Sequence, residues 1–142
     1  MACFIVNTSE ALYKMHCVPC NVQSRLSVEV TQTLLLQLQE GWELDVTEPP
    51  RLKRRFRFKD FRQTMAFVDA VAEIAHLENH HPDLQVGFNF CEVRLTTHHC
   101  QGLSQNDFIC AAKVDRLMPV SNGAGKQEEI GRARYGIAVY VP

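Results

Sequence analysis

Five of the six histidines in this 142-residue chain fall between His76 and His99, and they are the first residues whose types and spacing suit chemistry. Two stand side by side before a proline, as His80-His81-Pro82. Two more, His98-His99, follow the run Leu95-Thr96-Thr97. An imidazole changes protonation near neutral pH, so such a group could act as general acid and base, ligate a metal, or lie on a polar surface. Cys17-Val18-Pro19-Cys20 adds one C-x-x-C pair, a spacing that zinc sites and redox motifs share. A second such pair and a βαβ pattern are both missing. Lys53, Arg55, Arg57 and Lys59 alternate along one stretch and form a basic stripe, which reads as a solvated sheet face or an anion-binding surface.

The elements that must position these residues can be read from periodicity. Asp60 is a good N-cap, and Phe61, Met65, Val68, Ala72 and Ala75 recur at helical spacing, with Phe67, Val71 and Ile74 widening the stripe. This predicts a helix over 61–78 with its methionine and phenylalanines in the core. Pro82 disfavours the α region for His81, so the helix ends at the histidine pair. Val86, Phe88 and Phe90 alternate within 84–90, and Val93, Leu95 and Thr97 within 92–97, predicting two strands. If the second persists, His98 points away from Val93, Leu95 and Thr97, and His99 to the opposite side. Ser104 can cap a third helix running to Leu117, with Asp107 at its third position, where the helix dipole favours a carboxylate.

Upstream, Val30, Leu34, Leu35 and Leu38 predict a helix over 27–40, capped by Ser27 and closed by Gly41. Residues 42–46 and 52–58 alternate on either side of Pro49-Pro50 and predict a hairpin. The order α-β-β-α-β-β-α indicates an α+β fold, a single layer of four-stranded antiparallel sheet with three helices on one face. The expected organisation is an N-terminal arm over 1–20, one domain over 21–118 and a tail over 119–142, which begins with linker-like composition.

Composition narrows the partners. A hydrophobic share of 46%, a charged share of 22% and a formal net charge of -1 give no global attraction to nucleic acid or acidic lipid. Six scattered cysteines in a chain able to form its own core read as reduced thiols of the cytoplasm. No stretch reaches the ~18 apolar residues of a membrane span.

From His76 to Asp107 the chain resembles the pterin-4a-carbinolamine dehydratase family. The spacing of His76, His80-His81-Pro82, the aromatic Phe88, His98 and Asp107 matches the family signature, and Gly102-Leu103-Ser104-Gln105-Asn106-Asp107 extends it. Gly41-Trp42, Phe56-Arg57-Phe58-Lys59-Asp60-Phe61 and the region of Phe67 match too, so the likeness covers about 25–118. The resemblance implies dehydration of the 4a-hydroxytetrahydropterin that aromatic amino acid hydroxylases release, with neither metal nor prosthetic group, in a homodimer or homotetramer. It implies that His80, His81 and His98 line the pterin pocket, and that Pro82, Asp107 and Trp42 contribute to substrate binding. Two imidazoles suffice for such an elimination, one taking the ring N–H proton and one protonating the departing hydroxyl, and His80 and His98 are the pair expected to do so. Relatives often carry glutamate where this chain has His76, and the nearest carboxylate here is Glu78. Two other readings are a dimerisation or transcription-coactivator module on the same fold, and a zinc site built from the histidines with Cys17 and Cys20.

Overall fold

The computed structural model describes residues 8–118. Within them the chain forms α1 (Thr8–Lys14), a short 3-10 turn at Cys20–Val22, α2 (Val28–Leu35), β1 (Glu43–Asp45) and β2 (Arg51–Arg57). It continues through α3 (Phe61–Glu78), β3 (Asp83–Val86), β4 (Phe90–Leu95), a second 3-10 turn at His98–Cys100, and α4 (Gln105–Asp115). The expected tail over 119–142 lies outside the described residues.

The four strands form one antiparallel sheet in the order β1-β2-β4-β3. Two hairpins therefore meet along β2 and β4, with Leu52 opposite Leu95 and Phe56 opposite Cys91. Alternation turns Leu52, Phe56, Cys91, Val93 and Leu95 toward the helices, where Phe67, Val71 and Ile74 of α3 and Phe108, Ile109 and Val114 of α4 complete the core. Each such side chain contributes about 1.5–3 kcal/mol through the water it leaves. The rings of Phe56 and Phe58 pack at 4.7 Å and 5.0 Å from that of Phe67.

The outer face of the sheet takes the basic stripe. There Arg55 binds Glu92 at 3.0 Å and lies over the ring of Phe90 at 4.5 Å, while Lys53 stands opposite Glu43 in register. Glu92 thus pairs with Arg55 of the stripe while also binding Arg94, and Phe90 shares the face, an aromatic contributed from a neighbouring strand that the stripe's own alternation does not include.

Several elements differ from expectation. The first twenty residues contain α1, which buries Leu12 against the core and stacks Tyr13 under Lys113 and Arg116 of the α4 end. Helix α2 is shorter than 27–40, because Gln37 and Leu38 tighten to i→i−3 bonds before Gly41 turns the chain at φ 112°. Val30 faces out at 45% exposure and Thr31 faces in. Helix α3 has the expected bounds and the Asp60 cap, whose side chain accepts from Gln63 N, but Phe61 is 50% exposed and Met65 36%. A helix apolar around much of its circumference is oriented by its polar residues: Thr64 turns inward, its hydroxyl 2.9 Å from Asp60 O and 3.0 Å from Phe88 O. Strand β4 ends at Leu95, because Thr97 and Gly102 bond to each other and close the following residues into a loop.

Candidate functional site

The end of α3 sets the direction of His80. Asn79 adopts the left-handed conformation at φ 49°, and the next amide, that of His80, reaches back to Ala75 O at 3.1 Å. Asparagine tolerates this region better than most residues, so it does here what glycine does at many helix ends. With its own amide tied to the helix, His80 enters the layer between α3 and α4 at 5% exposure. The space beside it, lined by Val71, Ile74, Pro82, Leu95 and Cys110, amounts to only about 10 Å³.

The opposite wall is the start of α4. Asp107 is fully buried, and its Oδ1 lies 2.7 Å from His80 Nε2. Its Oδ2 accepts from the Thr97 hydroxyl at 2.8 Å and from the Ser104 amide at 2.9 Å. Ser104 Oγ lies 2.7 Å from Thr97 Oγ1, and because Thr97 spends its proton on Asp107, Ser104 donates to Thr97. The carboxylate thus has three donors, of which His80 Nε2–H is one, and that bond selects the tautomer. Nδ1 is left as the acceptor nitrogen.

Nδ1 faces the N-terminal arm, where Cys20 Sγ stands 3.6 Å away. Asn106 of α4 fastens this arm by a two-way clasp, its amide accepting from Val18 N at 3.1 Å and donating to Val18 O at 2.8 Å. Cys17 turns elsewhere, its Sγ 3.6 Å from Cys110 Sγ. The two cysteines of the C-x-x-C spacing therefore diverge, and among the described residues no three His, Cys, Asp or Glu side chains converge as a metal site.

The remaining sequence candidates differ in exposure. His98 is exposed at the head of its 3-10 turn, not on a continuing strand, and His99 is exposed beside it. His81 is exposed and Pro82 half-buried. Trp42 does not join this group: it is 6% exposed in the core, with its indole N–H donated to Asp115 Oδ1 at 2.7 Å. A buried indole needs an acceptor, and Asp115 supplies it. Glu78 does not orient His80 either. It accepts from Cys17 N at 2.8 Å and binds Lys113 Nζ at 3.1 Å and His16 Nδ1 at 3.1 Å, so it anchors the arm. The carboxylate that does orient His80 is Asp107.

Among the carboxyls shifted from ordinary titration, Glu78 and Asp115 lie against the helices, and they move in opposite directions. Burial pushes Glu78 up, but the bonds from the Cys17 amide and Lys113 outweigh it and hold the carboxyl below the usual range. Burial dominates at Asp115 and keeps it above its ordinary value despite donors from Trp42, Gln39 N and Arg54.

Comparison with known proteins agrees with this arrangement of elements. The family model described as Pterin 4 alpha carbinolamine dehydratase matches residues 24–117. A protein of Legionella pneumophila named "Putative pterin-4-alpha-carbinolamine dehydratase" is 52% identical over 109 residues, 75% of this chain and 95% of that protein. A protein of the same name from Nitrosomonas eutropha is 52% identical over 103 residues, covering 72% of this chain and 88% of its own length. Among solved structures, the transcriptional coactivator/pterin dehydratase from Brucella melitensis superposes with a TM-score of 0.61 at 29% identity, over 65% of this chain and 96% of that one.

Proposed function

Because the chain belongs to the pterin 4 alpha carbinolamine dehydratase family, we propose that it removes water from a 4a-hydroxytetrahydropterin to give the quinonoid dihydropterin. The observation that carries this reading is the His80–Asp107 pair at 2.7 Å. With Nε2–H committed to the carboxylate, Nδ1 is the basic nitrogen, and Asp107 stabilises the imidazolium that forms when it takes a proton. His80 is therefore assigned as the base for the ring N–H. His98, exposed and free to exchange protons with solvent, is assigned as the acid for the departing hydroxyl. His81 and Pro82 form the wall beside them.

In this reading the Cys20–Val22 turn gives way for the substrate to reach Nδ1, since Cys20 stands on that nitrogen. The substrate is the product of a pterin-dependent aromatic hydroxylase, and the working particle is a homodimer or homotetramer. The test is stopped-flow dehydration of freshly generated 4a-hydroxytetrahydropterin. His80→Ala and His98→Ala each lower the rate by about 10²-fold or more. No acceleration over buffer by the unmutated protein would sink the assignment.

A further inference from the structure

Five cysteines lie among the described residues, and their surroundings differ. Burial raises Cys91 to about 11 and also raises Cys100, whose thiol points at the Thr97 and Gly102 carbonyls. Cys110 is 2% exposed and is pushed up by its bond with Cys17 and by burial. Cys17 finds only the Asn106 carbonyl and the Cys110 sulfur. Cys20 alone of the five faces a base. Its Sγ lies 3.6 Å from His80 Nδ1, and the far nitrogen of that ring is held at 2.7 Å by the buried Asp107. Cys20 is half-buried, and the adjoining Val18 and Pro19 are exposed, so its stretch of the arm borders solvent.

A nucleophile within reach of an imidazole that a carboxylate orients is the arrangement by which a weak nucleophile is activated. We propose that Cys20 is a nucleophilic thiol served by His80 and Asp107, and that it is a modification site for low-molecular-weight disulfides. In the step, His80 Nδ1 takes the thiol proton as Cys20 sulfur attacks one sulfur of the disulfide. The S–S bond of the reagent breaks, a mixed disulfide forms on Cys20, and the second sulfur leaves as thiolate and receives the proton from His80. The sulfur of Cys20 is oxidised, the leaving sulfur is reduced, and one thiol is released for each chain modified.

The consequence for dehydration rests on the function proposed above: a group carried on Cys20 sits over the nitrogen that the pterin needs. The modification itself does not depend on that function, so the two fail separately.

The experiment treats the full chain with glutathione disulfide at neutral pH and maps each cysteine by peptide mass spectrometry over time. Among the five described cysteines, Cys20 gains glutathione first, well ahead of Cys17 and Cys100, and His80→Gln slows its gain by about 10²-fold, the scale of a lost general base. Cys17 or Cys100 reacting as fast as Cys20 in the unmutated chain would overturn the proposal. So would an undiminished rate at Cys20 in a folded His80→Gln protein. Circular dichroism reports whether that variant folds, and if it does not, the order of modification in the unmutated chain decides alone.

Discussion

His80 and Asp107 belong to different helical segments, one leaving α3 and the other opening α4, yet Nε2 and Oδ1 meet at 2.7 Å inside the core. The pair therefore joins the helix layer as well as preparing a nitrogen for chemistry. Asp107→Asn keeps the shape but gives up the charge that holds the Nε2–H tautomer. The expected result is a dehydration rate reduced by about 10²-fold or more with a smaller loss of stability. Asp107→Ala strands the His80, Thr97 and Ser104 donors and costs about 3 kcal/mol or more, as two or three unpaired buried groups would. Urea unfolding beside the rate assay separates the two effects.

Asn79 should be replaceable by glycine and by little else. Its φ of 49° costs a β-branched residue roughly 1–2 kcal/mol. Asn79→Val is expected to lower the melting temperature and to slow dehydration, because the amide of His80 is part of the same helix ending. Asn79→Gly should hold both near the unmutated values. Equal losses in the two variants would show that the left-handed turn does not set the histidine.

Glu78 makes the arm sensitive to acid. Its folded carboxyl titrates below the unfolded value near about 4.3, so the stability it contributes is present above that value and is lost as pH falls through the folded one. At pH 7, Glu78→Gln is expected to cost about 1–2 kcal/mol and to expose the Cys17 amide to hydrogen exchange. The gap between variant and unmutated protein should close as pH drops below about 4. A gap that widens in acid would reverse the assignment.

Asp115 serves three donors at the far end of α4: Trp42 Nε1 at 2.7 Å, Arg54 Nη1 at 2.8 Å and Gln39 N at 3.0 Å. Removing it by Asp115→Ala leaves Arg54 and the indole without their acceptor in the core, at an expected cost of about 3–5 kcal/mol. Asp115→Asn should cost less. The midpoint of urea unfolding at unchanged slope measures both.

Much of this arrangement was legible in the chain itself. Alternation and capping gave four strands, the bounds of α3 and the place of Asp107, because each is set by residues close in sequence. The inward face of α3 was not legible, since Phe61, Met65 and Phe67 are equally apolar and only tertiary packing, with Thr64 closing on Phe88 O, tells them apart. The site divided along the same line. The spacing around His80-His81-Pro82 and His98 pointed to a proton-transfer group, but α1 has too few turns to show a period, and nothing local connects Cys20 to His80. The Trp42–Asp115 bond was not legible either, because a tryptophan after glycine carries no sign of which acceptor its indole will find.

The meeting of β2 and β4 in mid-sheet has a kinetic consequence. Phe56 pairs with Cys91 across roughly 35 positions of chain, a closure that costs about 3 kcal/mol in chain entropy before any contact offsets it. Most of that intervening chain is α3, and folding it into a helix brings the two hairpins within reach of one another. Helix formation in α3 thus shortens the closure that must precede the pairing of β2 with β4. The cysteine-bearing arm, fastened to finished helices, can open and close without reporting on that barrier.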